Sequence, residues 1–538
     1  MPRIIVAFVI SLSIHAGCTG VREERVQKEN QMEQDKQGDN AITYEIFVQS
    51  FADSNSDGIG DIPGMTAKLD YLSDLGIEAI WLMPIHESPS YHKYDVVDYK
   101  SIHPDYGALD DFRVFLKEAH DRGIKVIIDF IINHSSDKHP WFLESSKGKD
   151  NPYRDYYIWQ KEDVIKDEIA KSELSHDSGN ITQWHRAGGN EELYYGFFTG
   201  QMPDLNYDNP KVFEEIVEIG RFWLEDIGVD GLRMDAAKHI FRDHRAADNH
   251  RFWVQFKEAM QAIKPDVYIV GEVWADAKTT NPFSKGLPSL FNFDLAFSIS
   301  QTLKSGVVSS SSVSGHSHVV SEDSSFVKTL IQNQQLFKNT NPEYVDAIFL
   351  SNHDQNRIAS VLDNRKNKIK QAAAILLTLP GKPFIYYGEE LGMLGMKPDP
   401  NIREPFLWDV DEADIQRAGW IAPKFSSDTT VVSVAGQAKK ANSIYNTYKA
   451  LIKARKESIA LSDGDLKVVQ VSDKNVLAYT RTSAGQSVLV LHNVGKEKVV
   501  LELPEFAGFR TVVFKNRAVK GKEGEVELSA NGSIVLTK

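Results

Sequence analysis

The chain has 538 residues, 42% hydrophobic and 25% charged, which is the composition of a soluble globular protein with room for a large barrel or two to three ordinary domains. Its net charge of −14 is spread along the sequence and argues against nucleic acid or an anionic lipid surface as the main partner. Cys18 is the only cysteine, so intramolecular disulfides are excluded and packing, aided by metal, must hold the fold.

At the N-terminus, Arg3 precedes an apolar run from Ile4 to Ile14, and Ala16 and Gly17 stand directly before Cys18. Residues 1–18 resemble a bacterial lipoprotein signal peptide whose cysteine accepts lipid, although His15 replaces the usual Leu-like residue. The expectation is an exported protein anchored in a bacterial cell envelope through Cys18, or a secreted one if the cysteine is incidental. Residues 19–40 carry almost no apolar side chains and read as a disordered tether.

From Ala41 onward short β-rich runs alternate with longer helical patterns, the signature of a parallel α/β fold. Eight runs stand out: 42–49, 79–84, 125–131, 229–236, 267–274, 290–297, 347–352 and 382–388. Eight is the number that closes a (β/α)8 TIM barrel, expected over 41–457. Amphipathic stretches at 109–123 and 209–228 each end in a glycine suited to a helix C-terminus. A long interval after the third strand, about 134–206, predicts an inserted domain, and the Ser-rich stretch 305–325 reads as a mobile loop. After a helix near 442–456 the pattern turns to short strands, which predicts an antiparallel β-sandwich domain over 458–538.

Reactive groups of such barrels lie at the C-terminal ends of the strands. Those ends carry Asp129, Asn133 and His134; then Arg233, Asp235, Lys238 and His239; then Glu272; then His353 and Asp354. Arg233 and Asp235, two apart on a strand, share a face, and the arginine would hold the aspartate ionised. A structural ion pair is the competing explanation for that pair. Glu272, between Val270, Val273 and Trp274, has an apolar setting that would keep it protonated. One protonated acid beside one carboxylate is the pairing a glycosidase needs.

Six segments in order, DFIINH (129–134), MPDLN (202–206), GLRMDAAKH (231–239), GEVW (271–274), FLSNHD (349–354) and YGEELGM (387–393), resemble the α-amylase family of glycoside hydrolases. The resemblance implies Asp235 as nucleophile, Glu272 as general acid/base and Asp354 as the carboxylate that grips and distorts the sugar. It also implies Tyr94, His134, Arg233 and His353 as supporting residues, Asp95 and Arg403 as further sugar contacts, and Lys238 reaching the leaving side. MPDLN stands between the forms found in oligo-1,6-glucosidases and in neopullulanases, and the expected activity is endo-cleavage of α-1,4 bonds in starch and maltooligosaccharides. α-Glucosidase, neopullulanase and transglycosylase activities share these residues; a non-catalytic starch-binding lipoprotein would be expected to lack one or more of Asp235, Glu272 and Asp354.

A separate signal is DSNSDGIGD at 53–61. Asp53, Asn55, Asp57, the Ile59 carbonyl and Asp61, with Gly58 at the turn, repeat the oxygen spacing of an EF-hand loop and predict Ca²⁺, although Gly64 stands where the loop's glutamate would be. The family resemblance implies a further calcium site from Asn133, Asp204 and the His239 carbonyl. His86, His92 and His103 have no ligand spacing and read as surface or cleft-edge residues rather than zinc ligands, and Trp184 reads as core or as a flank of the cleft.

Overall fold

The computed structural model describes residues 41–171, 183–314, 317–321, 325–409, 416–522 and 524–538. The signal peptide, the tether and Cys18 lie outside them. Eight parallel strands close a barrel in consecutive order: β1 (Thr43–Ile46), β2 (Ala79–Leu82), β3 (Lys125–Phe130), β4 (Gly231–Met234), β5 (Tyr268–Gly271), β6 (Ser289–Phe291), β7 (Val345–Phe349) and β8 (Lys382–Tyr386). The seam is β1 against β8, with Thr43 opposite Phe384 and Glu45 opposite Tyr386.

Alternation along the strands divides the apolar residues into two layers. Ala79, Trp81, Ile127, Val270, Phe291, Phe349 and Phe384 pack together as one cluster, while Ile80, Leu82, Val126, Ile128, Leu232, Ile269 and Ile385 join the layer beneath the helices. Those helices include α1 (Leu109–Asp121), α2 (Pro210–Arg221), α3 (Ala246–Ile263), α4 (Phe293–Ser305), α5 (Phe326–Thr340) and α6 (Lys366–Thr378). α2 begins at Pro210, behind Asn209, whose side chain accepts the Lys211 amide. It runs on through a π-helical turn to Gly228, left-handed at φ 97.

Two expectations change. The run 290–297 is a strand only as far as Phe291; Asn292 accepts the Leu295 amide at 2.9 Å and starts α4 instead. The Ser-rich stretch is not a mobile loop where it is described: Ser310–Ser314 and Ser317–Ser321 pair as an antiparallel hairpin. The hairpin lies on α4. Ser298 Oγ accepts the Ser311 amide at 2.7 Å, Thr302 Oγ1 accepts the Ser309 amide at 3.1 Å, and Asp294 Oδ1 accepts the Val313 amide at 2.7 Å.

The insertion after β3 holds a three-stranded antiparallel sheet, with Glu192–Tyr195 between Trp159–Lys161 and Trp184–Arg186. Ile165, Trp184, Leu193, Tyr195 and Phe197 form its small core, so Trp184 is core rather than a flank of the cleft. Bridges from His134 to Asp204 and from Tyr157 to Leu205 close the base of the insertion, and the Leu205 amide donates to the Asn133 carbonyl beyond β3 at 2.9 Å. His86, expected at a surface or cleft edge, is buried against Tyr99 and Trp223.

After α7 (Ile444–Lys456) come β9 (Asp465–Val468), β10 (Val476–Ser483), β11 (Gln486–Asn493), β12 (Val499–Glu502), β13 (Thr511–Lys520) and β14 (Glu525–Thr537). They form an antiparallel sheet ordered β9-β10-β11-β14-β12, with β13 also on β14. Gln371 of α6 joins barrel to sheet by donating to the Asn493 and Gly532 carbonyls.

The turn from α6 into β8 depends on Arg455 of α7, which is 1% exposed. Its Nη1 donates to the Leu377 and Leu379 carbonyls at 3.0 and 2.8 Å, and Nη2 to the Gly381 carbonyl at 2.6 Å. Burial lowers its pKa to about 10. Arg455→Met would leave three acceptors unpaired and should cost about 3 kcal/mol or more of stability. A urea-unfolding midpoint unchanged by the substitution would rule this out.

Candidate active site

β3 and β4 are in register at Asp129 and Arg233, which fixes the floor of the site. The Arg233 guanidinium, 1% exposed, lies over the Trp81 ring at 5.0 Å. Its Nη1 donates to Asp129 Oδ1 at 3.0 Å and to Asp235 Oδ1 at 2.6 Å, and its Nη2 contacts Glu272 Oε2 at 2.8 Å. Three carboxylates therefore share one cation. Beyond Asp235 the backbone turns sharply, with Ala236 at φ 47, a conformation rarely adopted by non-glycine residues. The Glu272 amide donates to the Met234 carbonyl and the Ala237 amide to the Glu272 carbonyl, both at 3.0 Å, which locks the ends of β4 and β5 together.

The Glu272 side chain is 13% exposed. Burial is the largest influence on it; Arg233 opposes that influence, the charges of Asp235 and Asp354 reinforce it, and the carboxyl is pushed up to about 7. Asp129 is raised as well, again chiefly by burial.

A second chain of contacts begins at β1. Glu45 Oε1 lies 2.6 Å from His353 Nδ1, and His353 Nε2 lies 3.0 Å from Asp354 Oδ2 and 2.6 Å from the Tyr94 hydroxyl. Tyr94 donates onward to Asp129 Oδ2 at 3.2 Å. Burial disfavours a charged His353, but Asp354 and Glu45 outweigh it and raise the imidazole to about 10. Arg403 Nη2 bonds Asp354 Oδ1 at 3.0 Å and Asp399 Oδ2 at 3.3 Å. Burial pushes Asp354 upward; His353 and Arg403 prevail and hold it well below the usual carboxylate range.

These groups border a cavity of about 810 Å³ lined by Tyr94, His134, Asp235, Lys238, Glu272, Asp354 and Arg403, among others. His134 Nδ1 is 3.0 Å from Asn133 Oδ1, while its buried Nε2 has no hydrogen-bond partner among the described residues. Arg233 and His353 are not part of the lining and support it from below. Asp95 is also absent from the lining: it accepts Ser88 Oγ at 2.7 Å and Ser90 Oγ, bracing the loop that carries Tyr94. Sequence reasoning missed Glu45, Asp399, Phe297 and His318; Glu45 was detectable as an acidic residue inside an apolar first strand.

Asn133, Asp204 and His239 are brought together: the Asn133 side-chain amide lies 2.6 Å from the His239 carbonyl and is hydrogen-bonded to Asp204. In loop 53–61, Asp53 accepts the amides of Asn55, Ser56 and Gly58 at 3.0, 2.7 and 2.7 Å. Asn55 accepts from Asp57, Asp57 from Ile59, and Asp61 from Ser54 and Gly64. The loop is closed as a hard-cation loop would be, with Ser56 and Gly58 at positive φ, and its oxygen donors suit such an ion. No group of three or more His, Cys, Asp or Glu side chains is gathered for a metal among the described residues.

A parallel eight-stranded barrel that brings Asp235 and Glu272 onto one guanidinium at its strand ends carries the paired carboxyls that a glycoside hydrolase uses. The family model described as "Alpha amylase, catalytic domain" matches residues 45–464, and "Alpha-amylase SusG C-terminal domain" matches 476–535, so the chain belongs to the α-amylase family. It is 42% identical to "Alpha-amylase 3" of Dictyoglomus thermophilum, across 85% of each chain. It is 36% identical to a 4-alpha-glucanotransferase of Thermotoga neapolitana, across 86% of this chain and 97% of that one. Among solved structures it resembles the alpha-amylase from H. orenii, with TM-score 0.79 and 38% identity over 93% of this chain and 99% of that one.

The Glu272 carboxyl should keep its proton up to about pH 7 and lose it above. Difference infrared titration of the unaltered protein against Glu272→Gln should show a carboxylic-acid band vanishing with that midpoint. A midpoint at about 4.3, the value of a free glutamate, would refute the assigned environment.

Proposed function

We propose that the protein is a retaining, endo-acting α-amylase that hydrolyses α-1,4-glucosidic bonds of starch and maltooligosaccharides. The observation that carries the reading is the pair on Arg233: Asp235 on Nη1, and Glu272, with its raised carboxyl, on Nη2. Glu272 protonates the leaving glycosidic oxygen while Asp235 attacks the anomeric carbon. Glu272 then deprotonates the water that releases the glycosyl-enzyme. Asp354, fixed by His353 and Arg403, grips the sugar of the cleaved subsite, with His134 and Tyr94 on the same wall. Arg233 keeps both carboxyls in place without touching sugar.

Transfer to a sugar acceptor is the second reading, favoured by the 36% identity to a 4-alpha-glucanotransferase. It uses the same residues and differs in whether water or a sugar hydroxyl resolves the intermediate. Asp235→Asn should lower kcat by about 10⁴-fold or more with unfolding unchanged. Maltoheptaose digested by the unaltered enzyme should give several short oligomers released as the α-anomer. Glucose alone would overturn endo action, β-anomeric products would overturn retention, and products longer than the substrate would establish transfer.

Calcium at loop 53–61 belongs to the proposal, supported by the 1-3-5-7-9 alternation and the closed turn. Asp53, Asn55, Asp57, the Ile59 carbonyl and Asp61 would hold the ion, whose role is to stiffen the loop against 416–420; Asp53 N donates to the Gln416 carbonyl and Gly419 N to the Gly58 carbonyl. No step of catalysis passes through it. Millimolar Ca²⁺ should raise the thermal midpoint by mass action. The Asp53→Ala/Asp57→Ala double variant should abolish that response; a response retained in it would place the ion elsewhere.

A further inference from the structure

Strand β1 puts a carboxylate inside the barrel. Alternation sends Tyr44 and Ile46 to the layer beneath the helices and Glu45 inward, opposite Trp81 of β2 and Tyr386 of β8. Glu45 is 1% exposed and does not line the cavity, so no sugar reaches it. What it reaches is His353: Oε1 lies 2.6 Å from Nδ1 and accepts the His353 backbone amide at 3.3 Å. Trp81 meets the His353 ring at near right angles, with centroids 5.5 Å apart and planes at 76°, and Arg403 Nε donates to the His353 carbonyl at 2.9 Å. Burying a carboxylate in such a layer is costly unless a partner offsets it.

The neighbours of both ring nitrogens are acceptors. Nδ1 faces the Glu45 carboxylate, while Nε2 faces Asp354 Oδ2 at 3.0 Å and the Tyr94 oxygen at 2.6 Å, whose own proton is directed to Asp129 Oδ2. A neutral imidazole has one N–H and leaves its other nitrogen as an acceptor, so one of these contacts would set lone pair against lone pair. Only the doubly protonated ring satisfies all of them. Around it stand the acids Asp129 and Glu272 and the cations Arg403 and, across Trp81 and Tyr94, Arg233. Of these groups Glu45 alone faces Nδ1. Without its charge the ring falls back on a single N–H shared between two tautomers.

We propose that Glu45 is a positioning residue for the sugar under attack: by holding His353 doubly protonated it points Nε2–H at Asp354 and Tyr94, and so fixes the two side chains that meet that sugar. The proposal rests on the glycosidase reading given above. Glu45 touches neither the sugar nor the reacting atoms, and no proton of the reaction passes through it. Its charge acts through the ring. With a neutral amide in its place, His353 gives up its second proton as the pH rises, Nε2 can turn a lone pair to Asp354, and the clamp of His353 and Arg403 on Asp354 opens on one side.

Glu45→Gln keeps the size and an oxygen acceptor and removes only the charge. Spectra of the unaltered protein labelled with 15N-histidine, with His353 identified by its absence in His353→Gln, should show both ring nitrogens protonated from about pH 6 to about pH 9. In Glu45→Gln the second proton should be lost within that range. Maltotriose binding, measured by calorimetry on an Asp235→Asn background that blocks turnover, gives the functional readout. Glu45→Gln should bind as tightly as the Glu45 protein at about pH 6 and about tenfold more weakly at about pH 9, the scale of one charge-assisted contact. A His353 ring with a single N–H at about pH 7 in the unaltered protein would overturn the proposal, and that measurement needs no variant to fold. So would a Glu45→Gln protein whose His353 stays doubly protonated throughout, or an affinity lost equally at both pH values, the mark of a merely structural role. A Glu45 protein that binds no maltotriose at either pH, its ring doubly protonated, would overturn the glycosidase reading and the proposal with it.

Discussion

The buried guanidinium of Arg233 is the constraint on which the site depends. It joins the ends of β3, β4 and β5 through Asp129, Asp235 and Glu272, so backbone register and side-chain chemistry are fixed by one group. The surrounding charge does not balance. Four cations, Arg233, His353, Arg403 and Lys397, meet six carboxyls, Asp129, Asp235, Glu272, Glu45, Asp354 and Asp399. A low-dielectric site with that excess takes up protons where burial is greatest, which accounts for the raised Glu272 and Asp129.

The three carboxyls that line the cavity fall into separate electrostatic compartments: Asp235 and Glu272 on Arg233, Asp354 on His353 and Arg403. Asp354 is saturated by cations on both sides, whereas Glu272 shares its cation with two competitors. Residues of one chemical type are thereby given opposite tendencies to hold a proton. Tyr94 joins the compartments, touching His353 on one side and Asp129 on the other, and so couples the orientation of both.

Much of this was legible because it follows from short-range rules. Alternation of Arg233 with Asp235 placed both on one face, and the apolar neighbours of Glu272 announced its shifted carboxyl; the eight runs gave the barrel count. What escaped was set by contacts distant in sequence. Nothing near Glu45 reveals that it lies against His353, because the pairing needs the barrel to close. In 290–297 the alternating aromatic and aliphatic residues imitated a strand, while the local signal that decided the outcome was Asn292 as a helix cap with Asp294 in the first turn. The serines of 309–312 suggested disorder by composition; their role is to place backbone groups against Ser298 and Thr302, a use invisible without α4 beside them. The calcium spacing of 53–61 was read from loop chemistry alone.

Arg455 has a consequence for how the protein is made. β1 is the first of the barrel strands to be synthesised, yet its second neighbour, β8, follows only after the other six. The turn that presents β8 is then secured by a side chain encoded well downstream, in α7. During synthesis the nascent sheet therefore carries two open edges for most of its translation, the condition in which strands are prone to pair with the wrong chain. Closure comes late and its fastening waits for α7, so a truncation before residue 455 removes more than a terminal domain: it leaves the barrel without its last fastening.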